Sequence, residues 1–268
     1  MASNSLRNPV RQNRTSGFSI THITVAIAVA ALIIGIVFIG ENIVYSARLR
    51  SVASELEQIQ GAVATFKTKY DCLPGDCVNA TTFLGLDPKC PDGGKSLTGT
   101  CNGDGDGIIN GAWQHGQPVE SLFVFQQLAL SNIIQPKKYP GSNKAFGVEP
   151  GFQVPRSSFE PYIGYYVLSP DPSPDLHFPS SIVSKVHVMI GAKTAPGGWD
   201  DYLMGAGFNA IDAHALDSKI DDGNPTSGQI IAVKPQPGLV NKNTTCFTDD
   251  GYETLSNSGC VLFYDIKL

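Results

Sequence analysis

Residues 18–40, FSITHITVAIAVAALIIGIVFIG, contain no lysine, arginine, aspartate or glutamate, and Ile23 to Ile39 is apolar except for Thr24. At 1.5 Å per residue, about 20 helical residues cross the roughly 30 Å hydrocarbon core of a bilayer. The preceding residues contain no acidic side chain and three arginines, Arg7, Arg11 and Arg14. Such a basic flank is typical of the cytoplasmic side of a membrane helix. The sequence therefore predicts a single membrane span with a cytoplasmic N-terminus.

The apolar pattern continues beyond Glu41 as one stripe along a helix. Apolar residues recur there at alternating spacings of three and four positions: Leu49, Val52, Leu56, Ile59, Val63, Phe66 and Tyr70. This periodicity predicts an amphipathic helix, which Pro74 and Gly75 end. A coiled coil is an alternative interpretation of the stripe. Because the stripe stops after three heptads, we expect it to pack on a sheet instead.

The N-terminal arrangement resembles that of type IV pilins and type II secretion pseudopilins. It consists of a short basic leader ending in Gly17, then Phe18, then an uncharged helix that becomes amphipathic. The resemblance implies that prepilin peptidase cleaves after Gly17 on the cytoplasmic side and methylates Phe18. It implies four segments: a leader, the transmembrane or filament-core half of a long helix, its amphipathic half, and a globular body, at residues 1–17, 18–40, 41–70 and 71–268.

His22 departs from the pattern of that family. The family places glutamate five residues into the mature chain, where it is thought to neutralise the N-terminal amine of a neighbouring subunit. A neutral histidine can accept a hydrogen bond from that amine but brings no negative charge, and a protonated histidine repels it. We therefore expect a minor or tip-proximal subunit, with His22 at the assembly contact.

The C-terminal 200 residues or so predict one loop-rich α+β body. The 28 glycines and 18 prolines of the whole chain are too many for a helical bundle. Helices are expected at Val119–Ile134 and at Asn209–Ile220, where Asn209 is a good N-cap. Strands are expected in segments rich in Val, Ile, Tyr and Phe: Tyr162–Leu168, Ile182–Ile190, Gln229–Val233 and Cys260–Lys267. A long helix with antiparallel strands gives a pilin-like α+β fold.

The six cysteines lie in three local groups: Cys72 and Cys77, Cys90 and Cys101, Cys246 and Cys260. Their even number and clustering favour disulfides formed in an oxidising compartment. Sequence alone leaves other connectivities open. We expect pairing within each group, and the last pair resembles the C-terminal disulfide loop of many pilins.

The segment NGDGDGIIN, residues 102–110, is a candidate calcium loop. Asn102, Asp104 and Asp106 alternate as they do in the first half of an EF-hand loop. The twelfth position is Trp113 rather than a bidentate carboxylate, so a complete EF-hand is excluded and a further ligand is expected from Glu120. The alternative is a plain turn with solvated carboxylates.

A second acidic group combines Asp217, Asp221 and Asp222 before Gly223 and Pro225. We expect it to cap a helix end and start a turn, and a second metal site is the weaker interpretation. The sequence contains neither HExxH nor GxSxG, and paired cysteines cannot act as nucleophiles, so we expect no enzyme. The net charge of −5 argues against binding nucleic acid through its phosphates.

Three functional interpretations from different classes remain. The first is a processed minor subunit of a type IV pilus or secretion pseudopilus, held in the bacterial inner membrane with its body in the periplasm before it joins a surface filament. Its partners are prepilin peptidase, other pilin-like subunits and the inner membrane. The second is a membrane-anchored periplasmic binding module or adhesin, and a membrane-anchored hydrolase is the third interpretation. Whether the filament serves as a pilus, in secretion or in DNA uptake is left open by the sequence.

Overall fold

The computed structural model describes residues 20–90, 97–111, 119–135, 139–141, 148–170, 178–193, 203–235, 245–253 and 258–268, without the side chains of residues 36–42. The predicted processing residues Gly17 and Phe18 and the loop position Trp113 lie outside these ranges. The chain divides into two compact units, residues 1–46 and residues 47–268.

The described residues form four helices, α1 Ile20–Tyr70, α2 Ala80–Leu84, α3 Ser121–Leu130 and α4 Ala210–Ile220. They form seven strands, β1 Ile163–Leu168, β2 His187–Ala192, β3 Phe208–Asn209, β4 Ile230–Val233, β5 Phe247–Thr248, β6 Gly251–Tyr252 and β7 Gly259–Asp265. Helices together with an antiparallel sheet confirm the predicted α+β class.

In the first unit, every side chain described between residues 20 and 35 is exposed. No helix in the described part of the chain combines the length and the apolarity that a membrane crossing requires. The prediction of a single-pass inner-membrane protein with a transmembrane segment at residues 18–40 is therefore wrong. The start of this helix includes the polar residues Thr21, His22 and Thr24.

In the second unit, the stripe predicted on α1 is the buried face of that helix. Five of its residues are at most 8% exposed, namely Val52, Leu56, Ile59, Val63 and Phe66. Leu49 and Tyr70 are partly buried against the same core. The hydroxyl of Tyr264, in β7, donates a hydrogen bond to Gln60 Oε1 at 2.6 Å. The amphipathic part of α1 thus packs on the body of its own chain, as expected, and not as a coiled-coil seam.

Strand β7 organises the main sheet. It pairs antiparallel with β2, with β4 and, through Phe208 and Asn209, with β3, while β1 pairs antiparallel with β2. Nearly every residue of β1, β2, β4 and β7 is buried, so the sheet lies inside the body. Strands β5 and β6 form a separate two-stranded ladder.

Two predicted elements end earlier or start later than expected, because the backbone leaves its regular conformation. The predicted strand Ile182–Ile190 begins at His187, since Ser184 has a φ of 59° and its N–H bonds to Pro170 O at 2.9 Å. Helix α3 ends at Leu130 instead of Ile134, two residues before Asn132, whose φ is 56°. Asparagine in this left-handed conformation commonly follows a helix end.

The structure pairs the six cysteines as Cys72–Cys77, Cys90–Cys101 and Cys246–Cys260. No cysteine is free. This is the local connectivity expected from the sequence. Two of the disulfides border the segment that carries the candidate site.

Candidate metal centre

Three carboxylates from distant parts of the sequence meet beside the first two disulfides. One oxygen of each of Asp76, Asp104 and Glu120 lies within 4.8 Å of the other two. Asp76 and Glu120 are buried, at 3% and 1% exposure, whereas Asp104 is exposed. Two carboxylates of the cluster are therefore buried, and the third faces solvent.

The loop that contains Asp104 lies against Asp76 because two backbone segments approach each other closely. A Cβ atom added to Gly103 would lie 2.4 Å from Asp76 Cα, so only glycine fits there. The N–H of Gly103 donates a hydrogen bond to Cys77 O at 3.1 Å. Since Cys77 is tied to Cys72, the disulfide holds the segment on which this contact is made.

Backbone N–H groups orient the two buried carboxylates. Asp76 accepts hydrogen bonds from Gly105 N at 2.7 Å and Gly107 N at 3.1 Å. Glu120 accepts from Asp104 N at 2.9 Å and from Asn110 N at 3.0 Å. The loop of residues 104–110 is thus wrapped around both side chains.

Burial and mutual repulsion keep these carboxylates protonated to a higher pH than usual. Desolvation is the main cause that raises the pKa of Asp76 to about 6, partly offset by its two backbone hydrogen bonds, and the charges of Asp106 and Asp104 raise it further. Desolvation likewise raises the pKa of Glu120 to about 7, with additional contributions from the charges of Asp104 and Asp76. Among the described residues, no lysine or arginine forms an ion pair with the cluster.

The cluster contains two of the four predicted calcium ligands, Asp104 and Glu120. Asn102 Oδ1 accepts a hydrogen bond from Thr81 N at 2.9 Å, and Asp106 Oδ1 accepts one from Ile108 N at 2.7 Å. Asp106 is not a member of the carboxylate cluster that contains Asp104 and Glu120. Asp106 instead forms a local turn, the alternative that the sequence had left open.

Asp76 is the residue that sequence reasoning missed. It lies in the ring closed by Cys72 and Cys77. The available signal in the sequence was an acid between a glycine and a cysteine of a closely spaced pair. Spacing within one loop could not reveal it, because Asp76 and Asp104 are 28 positions apart and meet only through the Gly103 contact.

The donor set fits a hard divalent cation. Calcium takes carboxylate oxygens in flexible geometry, and three converging carboxylates supply three of its six to eight ligands, the rest coming from water or backbone oxygens. A bound dication would offset the repulsion among the three charges. The cluster consists of three carboxylate donors.

The second acidic group holds the chain that follows α4. Asp222 accepts hydrogen bonds from Asn224 N at 2.8 Å and Ser227 Oγ at 2.7 Å, and Asp221 accepts from the N–H groups of Gln229 and Ile230. Buried Asp217 accepts from the Tyr252 hydroxyl at 2.7 Å and from Gly223 N at 3.3 Å. These three carboxylates lie close enough together to hold an ion. Their hydrogen bonds nevertheless match the sequence prediction, in which these acids cap the helix end and start a turn.

The raised pKa values predict a pH dependence of stability without metal. Between about pH 4 and about pH 7 the folded chain retains protons on Asp76 and Glu120 that the unfolded chain has lost, so the free energy of unfolding falls as pH rises. Asp217, with a pKa raised to about 6 mainly by burial, acts in the same direction. Thermal unfolding in chelator from about pH 5 to about pH 8 should therefore show a falling Tm.

Two variants test which groups cause this pH dependence. Glu120→Gln should flatten the slope of Tm against pH, whereas Glu57→Gln, on the exposed face of α1, should not. An unchanged slope in Glu120→Gln contradicts the assignment.

No family model, curated protein or solved structure matches this chain.

Proposed function

We propose that the chain is a pilin-like structural subunit of a type IV pilus or type II secretion pseudopilus, which assembles with other subunits through the first part of α1. The proposal includes the pilin-like arrangement, in which one long N-terminal helix packs by its second half on an antiparallel body. It rests on the N-terminal resemblance and on the exposed apolar surface of α1.

That apolar surface is the observation that carries the proposal. Eight large apolar side chains between residues 20 and 34 are 48–79% exposed: Ile20, Ile23, Val25, Ile27, Val29, Leu32, Ile33 and Ile34. Successive helical residues are about 100° apart, so these positions point in all directions around the helix. A helix that is apolar all round is stable when other apolar surface covers it. The described residues give this segment no such cover, so helices of other subunits are the proposed cover.

Small residues in the same segment favour close helix packing. They are Ala26, Ala28, Ala30, Ala31 and Gly35. A Cβ atom added to Gly35 would meet nothing within 4 Å, so space remains around this position. Since the distance between packed helices depends on the side chains at the contact, such residues allow neighbouring helices to approach closely.

His22 supports a minor, tip-proximal position for the subunit. It lies near the start of α1 and is exposed. In a core of packed apolar helices an unpaired charge is costly, and a neutral histidine offers no carboxylate to the amine of the next subunit. A subunit with no neighbour above it, or with a partner that supplies the carboxylate, avoids this cost.

The proposal also includes a calcium ion held by Asp76, Asp104 and Glu120. Its role is to fasten the loop of residues 102–110 to the body, because these carboxylates already hold that loop through backbone hydrogen bonds. The body exported with the filament would then meet millimolar calcium outside the cell, where weak extracellular sites are filled.

Replacing Ile27 by aspartate tests assembly through α1. We expect this variant to give no sedimentable filaments, because the carboxylate would be buried between helices at a cost of several kcal/mol. The matched control is Ile211→Asp, which places the same charge at another exposed isoleucine, 51% against 64% exposed for Ile27. Sedimentation with quantitative blotting is the measurement.

Two results would contradict the proposal. Normal filament yield from Ile27→Asp would mean that α1 is not the assembly surface. A copy number showing this chain as the dominant subunit of purified filaments would overturn the minor-subunit part and leave the rest standing.

A further inference from the structure

A cavity of about 360 Å³ opens in the second unit between α1, α3 and the chain around residues 155–165. Its walls include Ile59 and Ala62 from α1 and Phe125 and Leu128 from α3. This volume falls within the range of small-molecule sites. It is independent of the exposed segment of α1 on which the filament proposal rests.

Most of the wall is apolar and otherwise buried. Phe125, Leu128 and Tyr165 are at most 1% exposed, and Tyr139 is 8% exposed. The rings of Phe125 and Tyr139 lie 5.9 Å apart between centroids, a usual distance for an aromatic pair. Protein interiors are packed to the density of organic crystals, so an apolar space of this size beside buried rings is suited to an apolar guest.

Two opposite charges line the same cavity without neutralising each other. They are the Glu55 carboxylate and the Arg156 guanidinium. In the described part of the chain the ion pair is formed by Lys193 and Glu149. The charged nitrogen atoms of Arg156 do not come within 4.0 Å of the carboxylate oxygens of Glu55. Arg156 is exposed and has no carboxylate partner among these residues.

The carboxylate of Glu55 is held in place by its neighbours. It accepts hydrogen bonds from Ser158 N at 3.3 Å, from Ser157 Oγ at 3.4 Å and from the Tyr165 hydroxyl. Such a fixed acceptor on an aromatic wall suits an ammonium group, since the faces of aromatic rings also attract cations. The guanidinium of Arg156 suits a carboxylate, which it can bind through two parallel hydrogen bonds.

We propose that this cavity binds a small zwitterion with an apolar body, of the size of an aromatic α-amino acid, with its ammonium group on Glu55 and its carboxylate on Arg156. The apolar body lies against Phe125 and Tyr139. The inference goes beyond the filament proposal and does not depend on it.

Calorimetric titration of the full, oxidised chain with three probes tests the proposal. L-Phenylalanine carries both charges, 2-phenylethylamine lacks the carboxylate and 3-phenylpropanoate lacks the ammonium group. We expect phenylalanine to bind at least about tenfold more tightly than either probe, because each lacks one charge-assisted contact. Three equal affinities, or no saturable binding of phenylalanine, overturn the proposal.

Variants assign the two charges. Arg156→Gln should weaken phenylalanine about tenfold and leave 2-phenylethylamine unchanged, and Glu55→Gln should weaken phenylalanine and leave 3-phenylpropanoate unchanged. The control Arg50→Gln removes an exposed arginine of α1 that does not line the cavity. Equal losses for all probes in both variants would indicate general damage and contradict the assignment.

Filling the cavity provides a measurement that does not depend on charge. Ala62→Phe places a ring in the space, so binding of phenylalanine should be lost while the melting curve stays cooperative. Retained binding in this variant would locate the ligand elsewhere and overturn the proposal. If the variant does not fold, the probe comparison on the unaltered chain still decides.

Discussion

Replacing Phe66 by alanine is expected to lower the free energy of unfolding by about 3–5 kcal/mol, the usual range when a buried phenylalanine is truncated. Phe66 is 1% exposed, lies in the last turns of α1 and has its ring 4.6 Å from that of Tyr70. For a body of this size we expect Tm to fall by about 6–20 °C. Thermal unfolding followed by circular dichroism is the measurement.

The neighbouring residue supplies the control. Lys67→Ala changes an exposed side chain on the same helix turn and should alter stability by less than about 0.5 kcal/mol. A small effect of Phe66→Ala would mean that the stripe is not buried in this chain. A Tm that rises with protein concentration would instead point to a coiled coil between chains.

Calcium is expected to raise the Tm of the oxidised chain by about 5–10 °C when it is present at about 100 times its dissociation constant. Binding to the folded state alone contributes about 2.7 kcal/mol at that excess, and about 2–4 °C of Tm corresponds to each kcal/mol. The physical reason is that Asp76, Asp104 and Glu120 converge in the folded chain and not in the unfolded one. Scanning calorimetry in chelator and in calcium measures the shift.

Isosteric variants separate the cluster from the rest of its loop. Glu120→Gln and Asp76→Asn should lose most of the calcium-induced shift. Asp106→Asn should keep it, because Asp106 lies in the same loop but outside the cluster and accepts a hydrogen bond from Ile108 N. Identical melting curves of the unaltered chain with chelator and with calcium would contradict calcium binding. The three carboxylates would then only hold the loop through hydrogen bonds.

Local patterns predicted the elements whose causes are local. The spacing of Val52, Leu56, Ile59, Val63 and Phe66 predicted which face of α1 is buried, since helix period and side-chain apolarity are properties of neighbouring residues. Asn209 predicted the start of α4, where its side chain accepts a hydrogen bond from Asp212 N at 2.7 Å. Runs of β-branched and aromatic residues located β1, β4 and β7 to within a few residues.

Hydropathy counted along the chain misled the interpretation of the N-terminal helix. Absence of charge at residues 18–40 predicted a membrane span, and the described helix does not meet the length and apolarity that such a span needs. The same exposed apolar residues, Ile27 among them, now support contact with other helices as a proposal.

The sequence by itself determined the α+β class, the buried face of α1 and the cap of α4, and it favoured local pairing of the six clustered cysteines, because these depend on residues close together in the chain. The tertiary structure decided which acids meet. Asp76 reaches Asp104 only because Gly103 lets two backbone segments touch, and Glu120 joins them from the start of α3. It also placed Glu55 and Arg156, 101 positions apart, on one cavity. Contacts between distant segments depend on how every intervening element packs, and no local pattern records them.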